Sequence, residues 1–397
     1  MNGNEPDVSV IIGAYDAMPY LVRCLESVEA QTIGADRIEI VAVDDGSTDG
    51  TGECLEEFAA RSKAETRVVW QANSGGPGGP RNLGLSLARG RYVFFLDADD
   101  HLGDEALERM VAMADRAGTD VVLGRMEGVN RGAPRTMYRK SAERTDVFSS
   151  NIKFTLSAQK LFRRELLVRH DLRFDEGMRL GEDALFTMEA YLRADGVSVV
   201  ADYTCYYLVG RDDGKHVTKG VDHAAIIEAA HALMKLIAVH VPPGDRRDLL
   251  MVRPFVTSVL PQLGPIVLKQ PDERGRDKLG LVAPLMEAYW TDGVARRLKV
   301  GERLRLSCAP AGRFDVLKDV LAFERAGSVP GVVEREGRRC LAYPHFGAGV
   351  EGFPDGVYEV RVAEQVGGER VTPLQSDSAP GPRGASFVRR VVHRLTR

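Results

Sequence analysis

Acidic residues form three clusters in the first half of this 397-residue sequence. They are Asp44-Asp45, Asp97 with Asp99 and Asp100, and Glu182-Asp183. The second cluster follows an apolar run, and carboxylates at the end of a buried strand are costly unless a positive charge neutralises them. A hard divalent cation would neutralise them and would also bridge the two phosphates of a sugar nucleotide. The sequence therefore predicts a metal site at Asp97 and Asp99, with an acidic turn that binds no metal as the alternative.

The first cluster, Asp44-Asp45, ends another apolar run and is followed by Gly46-Ser47. Ligands of open α/β sheets bind at the carboxyl ends of the strands, so these aspartates are suited to contact a base or a ribose. Capping of the next helix explains the same residues equally well. The third cluster opens an amphipathic helix, whose N-terminus stabilises negative charge without any catalysis. This third cluster indicates a function only when it is considered together with the other two clusters.

Between the first two clusters lies a glycine-rich segment, Asn73–Asn82. It contains too much glycine for a packed element, and such a loop lets the backbone approach a ligand closely. Arg81, at the start of the next predicted helix, is suited to contact a nucleotide or a phosphate. The G-K-[ST] ending of a Walker A loop is absent, and no G-x-G-x-x-G follows the first predicted strand.

The elements that must position these residues alternate between short apolar strands and amphipathic helices, which predicts an α/β domain with a parallel sheet. The predicted strands are Val8–Ile12, Glu39–Val43, Arg67–Trp70, Tyr92–Leu96 and Asp120–Leu123. Residues 128–135 are predicted to form a loop near the site. Later helices are predicted at Glu182–Ala194, Asp222–Val241 and Leu249–Leu260. Later strands are predicted at Val197–Val200, Thr204–Leu208, Arg303–Ser307, Val332–Arg335, Cys340–Tyr343 and Val357–Val362.

This pattern divides the chain into four parts. We expect a catalytic domain at residues 1–220, a helical region at 221–300, a small β-containing module at 301–375, and a linker with a basic amphipathic tail at 376–397. In that tail five apolar residues, from Phe387 to Leu395, interleave with arginines. Such a helix can rest on an anionic membrane surface or pack against protein.

The composition is that of a soluble globular protein, with 44% hydrophobic and 28% charged residues. A net charge of −4 argues against a nucleic-acid-binding protein. The five scattered cysteines contain no C-x-x-C pair and indicate reduced thiols. We see no signal peptide and no run of about 18 apolar residues, so we expect a cytoplasmic protein. Peripheral membrane contact and homo-oligomerisation are compatible with the sequence.

Five stretches of the first two hundred residues resemble the family two inverting glycosyltransferases of the GT-A fold. They are VSVIIGAYD, VAVDDGSTDGT, NSGGPGGPRNLGL, YVFFLDADD and GEDALF. The chain departs from the family at Gly13 and Asp16, where Pro and Asn are usual. Within the family, NSGGPGGPRN, GVNRGAP and RDDGKH are most similar to bacterial wall teichoic acid N-acetylglucosaminyltransferases.

The resemblance implies roles for individual residues. The implied donor-binding residues are Asp45, Asn73, Arg81, Asp97, Arg211 and His216. The implied ligands of a divalent cation, Mn²⁺ or Mg²⁺, are Asp99, Asp97 and His216. The implied catalytic base is Asp183, with Glu182 as the alternative. The implied reaction transfers N-acetylglucosamine with inversion from UDP-GlcNAc to a hydroxyl of a cell-wall polymer such as poly(ribitol phosphate).

Three other functions are weighed against this one. The same fold could act on a different capsular or exopolysaccharide acceptor. A sugar nucleotidyltransferase would need a glycine-rich basic loop directly after the first strand, and Gly13-Ala14-Tyr15-Asp16 is not such a loop. A module that only binds polysaccharide would leave the three acidic clusters without a role.

Overall fold

The computed structural model describes residues 5–211, 222–351 and 353–374. In this part of the chain nine strands form one mixed sheet, and helices, a helical region and two hairpins accompany it. The strands of the sheet are β1 Val8–Ala14, β2 Ile38–Asp44, β3 Glu65–Trp70, β4 Tyr92–Asp97, β5 His101–Leu102, β6 Val121–Val129, β7 Ala142–Thr145, β8 Leu161–Arg163 and β9 Val197–Val209.

Thirteen α-helices lie within the same described ranges. They are α1 Leu21–Glu29, α2 Thr51–Arg61, α3 Gly78–Leu87, α4 Ala106–Ala117, α5 Arg164–Arg169, α6 Glu182–Arg193, α7 His223–His240, α8 Asp245–Pro254, α9 Leu260–Gln262, α10 Asp272–Tyr289, α11 Asp292–Ala295, α12 Val300–Ser307 and α13 Phe314–Arg325. Short 3₁₀ helices lie at Ala35–Arg37, Thr136–Tyr138, Asn151–Phe154, Pro265–Lys269 and Asp355–Tyr358.

The first four strands confirm the parallel sheet that the sequence predicts. They are ordered β3-β2-β1-β4, and every pairing among them is parallel. Nearly all residues of β1, β2 and β4 are buried, as expected for strands covered on both faces. The α/β architecture is therefore as predicted, and the carboxyl ends of these strands share one edge of the sheet.

The second half of the sheet is mixed, which the sequence does not predict. The three-residue strand β8 lies between β4 and β6 and is antiparallel to both. The predicted strands Val197–Val200 and Thr204–Leu208 are one continuous strand, β9, which is parallel to β6. Strand β6 extends to Val129, so the prediction that residues 128–135 form only loop is wrong at its first two residues.

Close packing of α3 on β1 depends on Gly84. A methyl group at this position would lie 2.4 Å from Cγ2 of Ile11 in the buried centre of the sheet. Overpacking of this kind costs about 1–3 kcal/mol, so we expect Gly84→Ala to lower the free energy of unfolding by that amount. Denaturant unfolding checks this result.

The matched control is Gly280→Ala, because Gly280 lies on the exposed side of α10 with nothing within 4 Å of the added carbon. There alanine should stabilise the helix by roughly 0.5–1 kcal/mol.

The helical region begins with α7 and α8, near the predicted positions. Buried residues of α7 recur at helical spacing, from Ile227 and Ala230 to Ile237, which confirms an amphipathic helix. Helix α8 contains Pro254, and directly after it Phe255–Val259 form a π-helical turn. Proline lacks the N–H that would continue the α-helical hydrogen bonds, which explains the change of helix type at this point.

The C-terminal part contains two hairpins, β10 Gly331–Arg335 with β11 Arg338–Ala342 and β12 Glu364–Val366 with β13 Glu369–Val371. They confirm the small C-terminal strands. The predicted strand Arg303–Ser307 is wrong, because these residues lie in α12, where Arg303 and Leu304 are buried. The predicted strand Val357–Val362 is also wrong, since 3₁₀ helix and irregular backbone occupy most of it.

The division of the chain at residue 300 stays a prediction, although helices continue to Arg325. The basic tail at 376–397 lies outside the described residues. Within the described residues one helical stretch, Asp245–Lys269, is long and apolar enough to cross a membrane, but half of its most apolar window is buried in the protein. A buried helix of a soluble protein has the same properties, so this stretch is weak evidence for a membrane span.

Candidate active site

Strand pairing brings the first two acidic clusters together around β1. Asp44 pairs with Ala14 at the end of β2, and Asp97 pairs with Gly13 at the end of β4. Since β1 lies between β2 and β4, the two clusters flank its carboxyl end. The structure thus confirms that both clusters lie at the same edge of the sheet.

Asp45 is buried and holds the glycine-rich segment. Its Oδ1 accepts hydrogen bonds from the backbone N–H of Ser74, at 3.0 Å, and from Nε2 of Gln71. Its Oδ2 accepts from the Ser74 hydroxyl, also at 3.0 Å. The side-chain oxygen of the neighbouring Asn73 accepts a hydrogen bond from the backbone N–H of Gly75. Asp45 and Asn73 therefore shape this loop, and their contacts with a donor stay predictions.

The glycine-rich segment is a loop only in its first half. Helix α3 begins at Gly78, so the prediction that Asn73–Asn82 contains too much glycine for a packed element is wrong from Gly78 onward. Here glycine serves close packing: an added carbon at Gly79 would lie 2.6 Å from Oγ of Ser74. The helix can therefore begin directly against the loop, which brings Arg81 into the site.

Arg81 connects the second acidic cluster to the third. Its Nη2 donates to Oδ1 of Asp97 at 2.8 Å, and its Nη1 donates to Oε1 of Glu182 at 3.0 Å. Burial alone would lower the pKa of Arg81, but the charges of Asp97 and Glu182 outweigh it and raise the pKa. The guanidinium predicted to contact the donor nucleotide thus already has two carboxylate partners. We call this arrangement the Arg81 bridge.

The strand conformation ends at Asp97, where a turn begins that is closed by the Asp100 N–H donating to the Asp97 carbonyl at 3.0 Å. Because Asp99 lies in this turn and not in a strand, the alternation of side chains along a strand does not determine whether Asp97 and Asp99 point to the same side. Asp100 is buried, and its carboxylate accepts from the Tyr206 hydroxyl and from the Val209 N–H, both at 2.7 Å. Asp100 thus anchors the turn to β9.

Asp99 is the carboxylate of this turn that fits a cation. Its side chain is partly exposed, and no other residue of the described ranges donates a hydrogen bond to it. Burial, and then the charge of Asp97, raise the pKa of Asp99, while Arg211 and Arg131 partly offset them. A hard cation with oxygen ligands would relieve this repulsion. No three His, Cys, Asp or Glu residues of the described ranges form a complete metal site, so the remaining ligands would come from a bound donor, water or residues outside these ranges.

Glu182 and Asp183 begin α6 but have different surroundings. Glu182 is buried, and its carboxylate is engaged in the Arg81 bridge. Asp183 lines an adjacent cavity and forms no ion pair with a described residue. Burial is the main cause that raises the pKa of Asp183, opposed by the charges of Arg81 and Lys160. Of the two, Asp183 is the carboxylate open to an incoming group.

Three residues of this site carry no signal that the sequence analysis detects. Gln159 donates its side-chain amide to Oδ2 of Asp97. Lys160 is fully buried, which lowers the pKa of its amine to about 7 despite the charge of Asp183. Both directly precede β8, whose pairing with β4 brings them to the site. Arg253, from α8, lines the same cavity as Asp183.

Arg211 contacts the segment that follows β1. Nη2 of Arg211 donates to the Asp16 carbonyl at 2.9 Å, and its guanidinium lies 5.2 Å from the centre of the Tyr20 ring. Asp16 has a φ of 44°, in the left-handed region that Asp and Asn tolerate better than most residues. His216 lies outside the described residues, so its predicted donor and metal contacts are not tested.

Two family models match this chain. Residues 9–171 match the model described as glycosyl transferase family 2, and residues 223–321 match the model described as the glycosyl transferase TarS linker domain. The crystal structure of Staphylococcus aureus TarS 1–349 in complex with UDP-GlcNAc is 30% identical, with a TM-score of 0.77. The match covers 88% of this chain and 98% of that one. The chain belongs to glycosyltransferase family 2.

Curated proteins resemble between a half and two thirds of the chain. The poly(ribitol-phosphate) beta-glucosyltransferase of Bacillus spizizenii is 39% identical over 212 residues, which are 53% of this chain and 33% of that protein. The poly(ribitol-phosphate) beta-N-acetylglucosaminyltransferase TarS of S. aureus is 38% identical over 242 residues, which are 60% of this chain and 41% of that protein. The chain therefore spans a third to two fifths of the length of these relatives. Membership in family 2 and the similarity to TarS confirm the GT-A fold.

Proposed function

We propose that this chain is an inverting glycosyltransferase that moves N-acetylglucosamine from UDP-GlcNAc to a hydroxyl of poly(ribitol phosphate). The observation that carries the proposal is the match of 88% of the chain to a TarS structure in complex with UDP-GlcNAc. The match extends beyond the catalytic domain into the helical region, which supports a similar acceptor as well as a similar donor.

Asp183 is the proposed base. It takes the proton of an acceptor hydroxyl while that oxygen attacks the anomeric carbon from the face opposite the leaving UDP, so the configuration inverts. Burial raises the pKa of Asp183, which brings it closer to the working pH and makes it a stronger base than an ordinary aspartate. Glu182 is less suited, because Arg81 occupies its carboxylate.

We propose that Asp99, with Asp97 beside it, holds the divalent cation, Mn²⁺ or Mg²⁺. When bound, the cation supplies positive charge to the diphosphate of the leaving UDP. We assign the uracil and ribose contacts to Asp45 and to Asn73 in the loop that Asp45 holds, and a diphosphate contact to Arg211. Arg81 serves this site by fixing the direction of Asp97 through the Arg81 bridge. His216 stays a predicted contact of the diphosphate and the metal.

A glucosyl donor is the second candidate, because one relative of similar identity is a beta-glucosyltransferase. We expect UDP release from UDP-GlcNAc to rise at least tenfold when poly(ribitol phosphate) and Mn²⁺ are added together, and to rise less with UDP-glucose. A coupled UDP assay over both donors, with and without polymer, checks this prediction. Faster release from UDP-glucose would assign the chain to the glucosyl type, and no response to the polymer would contradict the acceptor.

The proposed setting is the cytoplasm, where UDP-sugars are made. All five cysteines are free in the structure, which is usual in a reducing compartment. Peripheral membrane contact and association between copies stay predictions.

A further inference from the structure

The helical region contributes one wall of the cavity at Asp183. This cavity has a volume of about 310 Å³ and lies between the start of α6, helix α7 and the π-helical turn after α8. Ile226, Ala229 and Leu233 of α7 form its apolar side, and Asp183 and Arg253 are its ionisable residues. We call it the acceptor cavity. It is at the lower end of the range of small-ligand sites, roughly 300–1,000 Å³.

Arg253 is a half-buried cation that has no described anionic partner. Its Nε is buried without a hydrogen-bond partner, and its guanidinium forms no ion pair with any described residue. The two arginines that are buried in the described ranges have full sets of acceptors: Arg81 binds two carboxylates, and Arg303 donates to backbone carbonyls that include Leu298 and Val357. A buried donor without an acceptor costs about 1–3 kcal/mol, more when charged, so Arg253 is costly in the free protein.

Arg253 lies where the helix changes type. It directly precedes Pro254, and the π-helical turn that begins at Phe255 follows. π-helical turns inside helices are frequent at functional sites. Burial lowers the pKa of Arg253 to about 10, and the charge of Asp183 partly opposes this effect. The guanidinium thus stays charged at neutral pH, within electrostatic reach of the proposed base.

We propose that Arg253 binds a phosphate group of the acceptor chain and thereby presents the neighbouring hydroxyl to Asp183. This inference rests on the proposed function and names the group that recognises the acceptor. A guanidinium matches phosphate oxygens with two parallel hydrogen bonds. The apolar wall from α7 keeps the local dielectric constant low, which strengthens that attraction. Arg253 is then a specificity residue, because a neutral polyol offers it no anion.

The test compares a charged with a neutral acceptor. The acceptors are a short ribitol phosphate oligomer and free ribitol, and the selectivity is the ratio of their kcat/KM values. Arg253→Met should reduce this ratio about 10–100-fold, since a hydrogen bond to a charged group contributes roughly 1.5–3 kcal/mol. The loss should be mainly in KM for the oligomer, and Arg253→Lys should recover part of it. The matched control is Arg246→Met on the same helix, because Arg246 lies over the Phe148 ring at a different cavity.

A counter-charge role for Arg253 predicts another result. If Arg253 only tuned Asp183, the variant would lose activity equally with both acceptors and its pH profile would shift, which would overturn the proposal. An unchanged ratio would overturn it as well. A second measurement distinguishes the phosphate site from the proposed function. Calorimetry measures the binding of ribitol 5-phosphate in the presence of UDP. If ribitol 5-phosphate binds only when Arg253 is present but the wild type transfers no sugar, the phosphate site is supported and the proposed transfer is contradicted. If the wild type and Arg253→Met transfer sugar equally well, the proposed transfer is supported and the phosphate site is contradicted.

Discussion

Asp183→Asn is expected to slow sugar transfer by roughly 10²–10⁴-fold, the usual contribution of a general base. Asparagine has nearly the same shape but cannot take a proton from the acceptor hydroxyl. UDP-GlcNAc should bind with near-normal affinity, because Asp183 faces the acceptor cavity and has no ion pair with a described residue that its loss would disrupt. Transfer is measured by coupled UDP release, and donor affinity by calorimetry on the same preparation.

The matched control for this variant is Glu182→Gln. Glu182 is one residue away, but its carboxylate belongs to the Arg81 bridge. The loss of this charge should therefore lower the unfolding temperature, whereas most of the turnover should remain. If Asp183→Asn kept most of its turnover while Glu182→Gln lost it, the base would be Glu182.

Asp99→Ala is expected to reduce transfer about 10²–10³-fold or more, as the loss of an electrostatic stabiliser of a leaving group does. It should also weaken UDP binding in Mn²⁺, because Asp97 and its neighbours would then repel the diphosphate without a bound cation. Excess EDTA should reduce transfer by the wild type to a similar level, and added Mn²⁺ should restore the wild type but not the variant.

Asp104→Ala is a suitable control for the metal prediction. Asp104 is exposed and lies beyond the turn, so its removal changes the net charge equally without touching the site. Full activity of the wild type in EDTA, or of Asp99→Ala in Mn²⁺, would remove the metal from the proposed mechanism.

Local patterns in the sequence predict much of this site. Apolar runs that end in aspartates predict β2 and β4, and the parallel pairing of both with β1 follows from the alternation of strands and helices. The third cluster is also predicted at the start of a helix, where Gly181 has a φ of 87° and Glu182 begins α6. These features depend on residues that are close in sequence.

The partners of these residues could not be predicted, because they come from distant segments. The Arg81 bridge joins residues 101 positions apart, and the bond from Gln159 to Asp97 spans 62. Strand β8 has only three residues, too few for a pattern to show that it pairs in the antiparallel direction. Arg253 reaches the site only because α7 packs beside α6 and α8 packs beside α7, and no periodicity in α8 shows which side of that helix faces a cavity.

The long strand β9 affects how this protein folds. Residues 197–209 pair with β5, β6 and β7, whereas the segment that matches the family 2 model ends at residue 171. A polypeptide that stops there exposes the unpaired edge of β6, and such edges promote aggregation. During synthesis, β1 to β4 can pair as soon as they emerge, but the hydrogen bond between Asp100 and Tyr206 cannot form until another 106 residues have been made. The turn that carries Asp99 is therefore among the last parts of the sheet to acquire its native form.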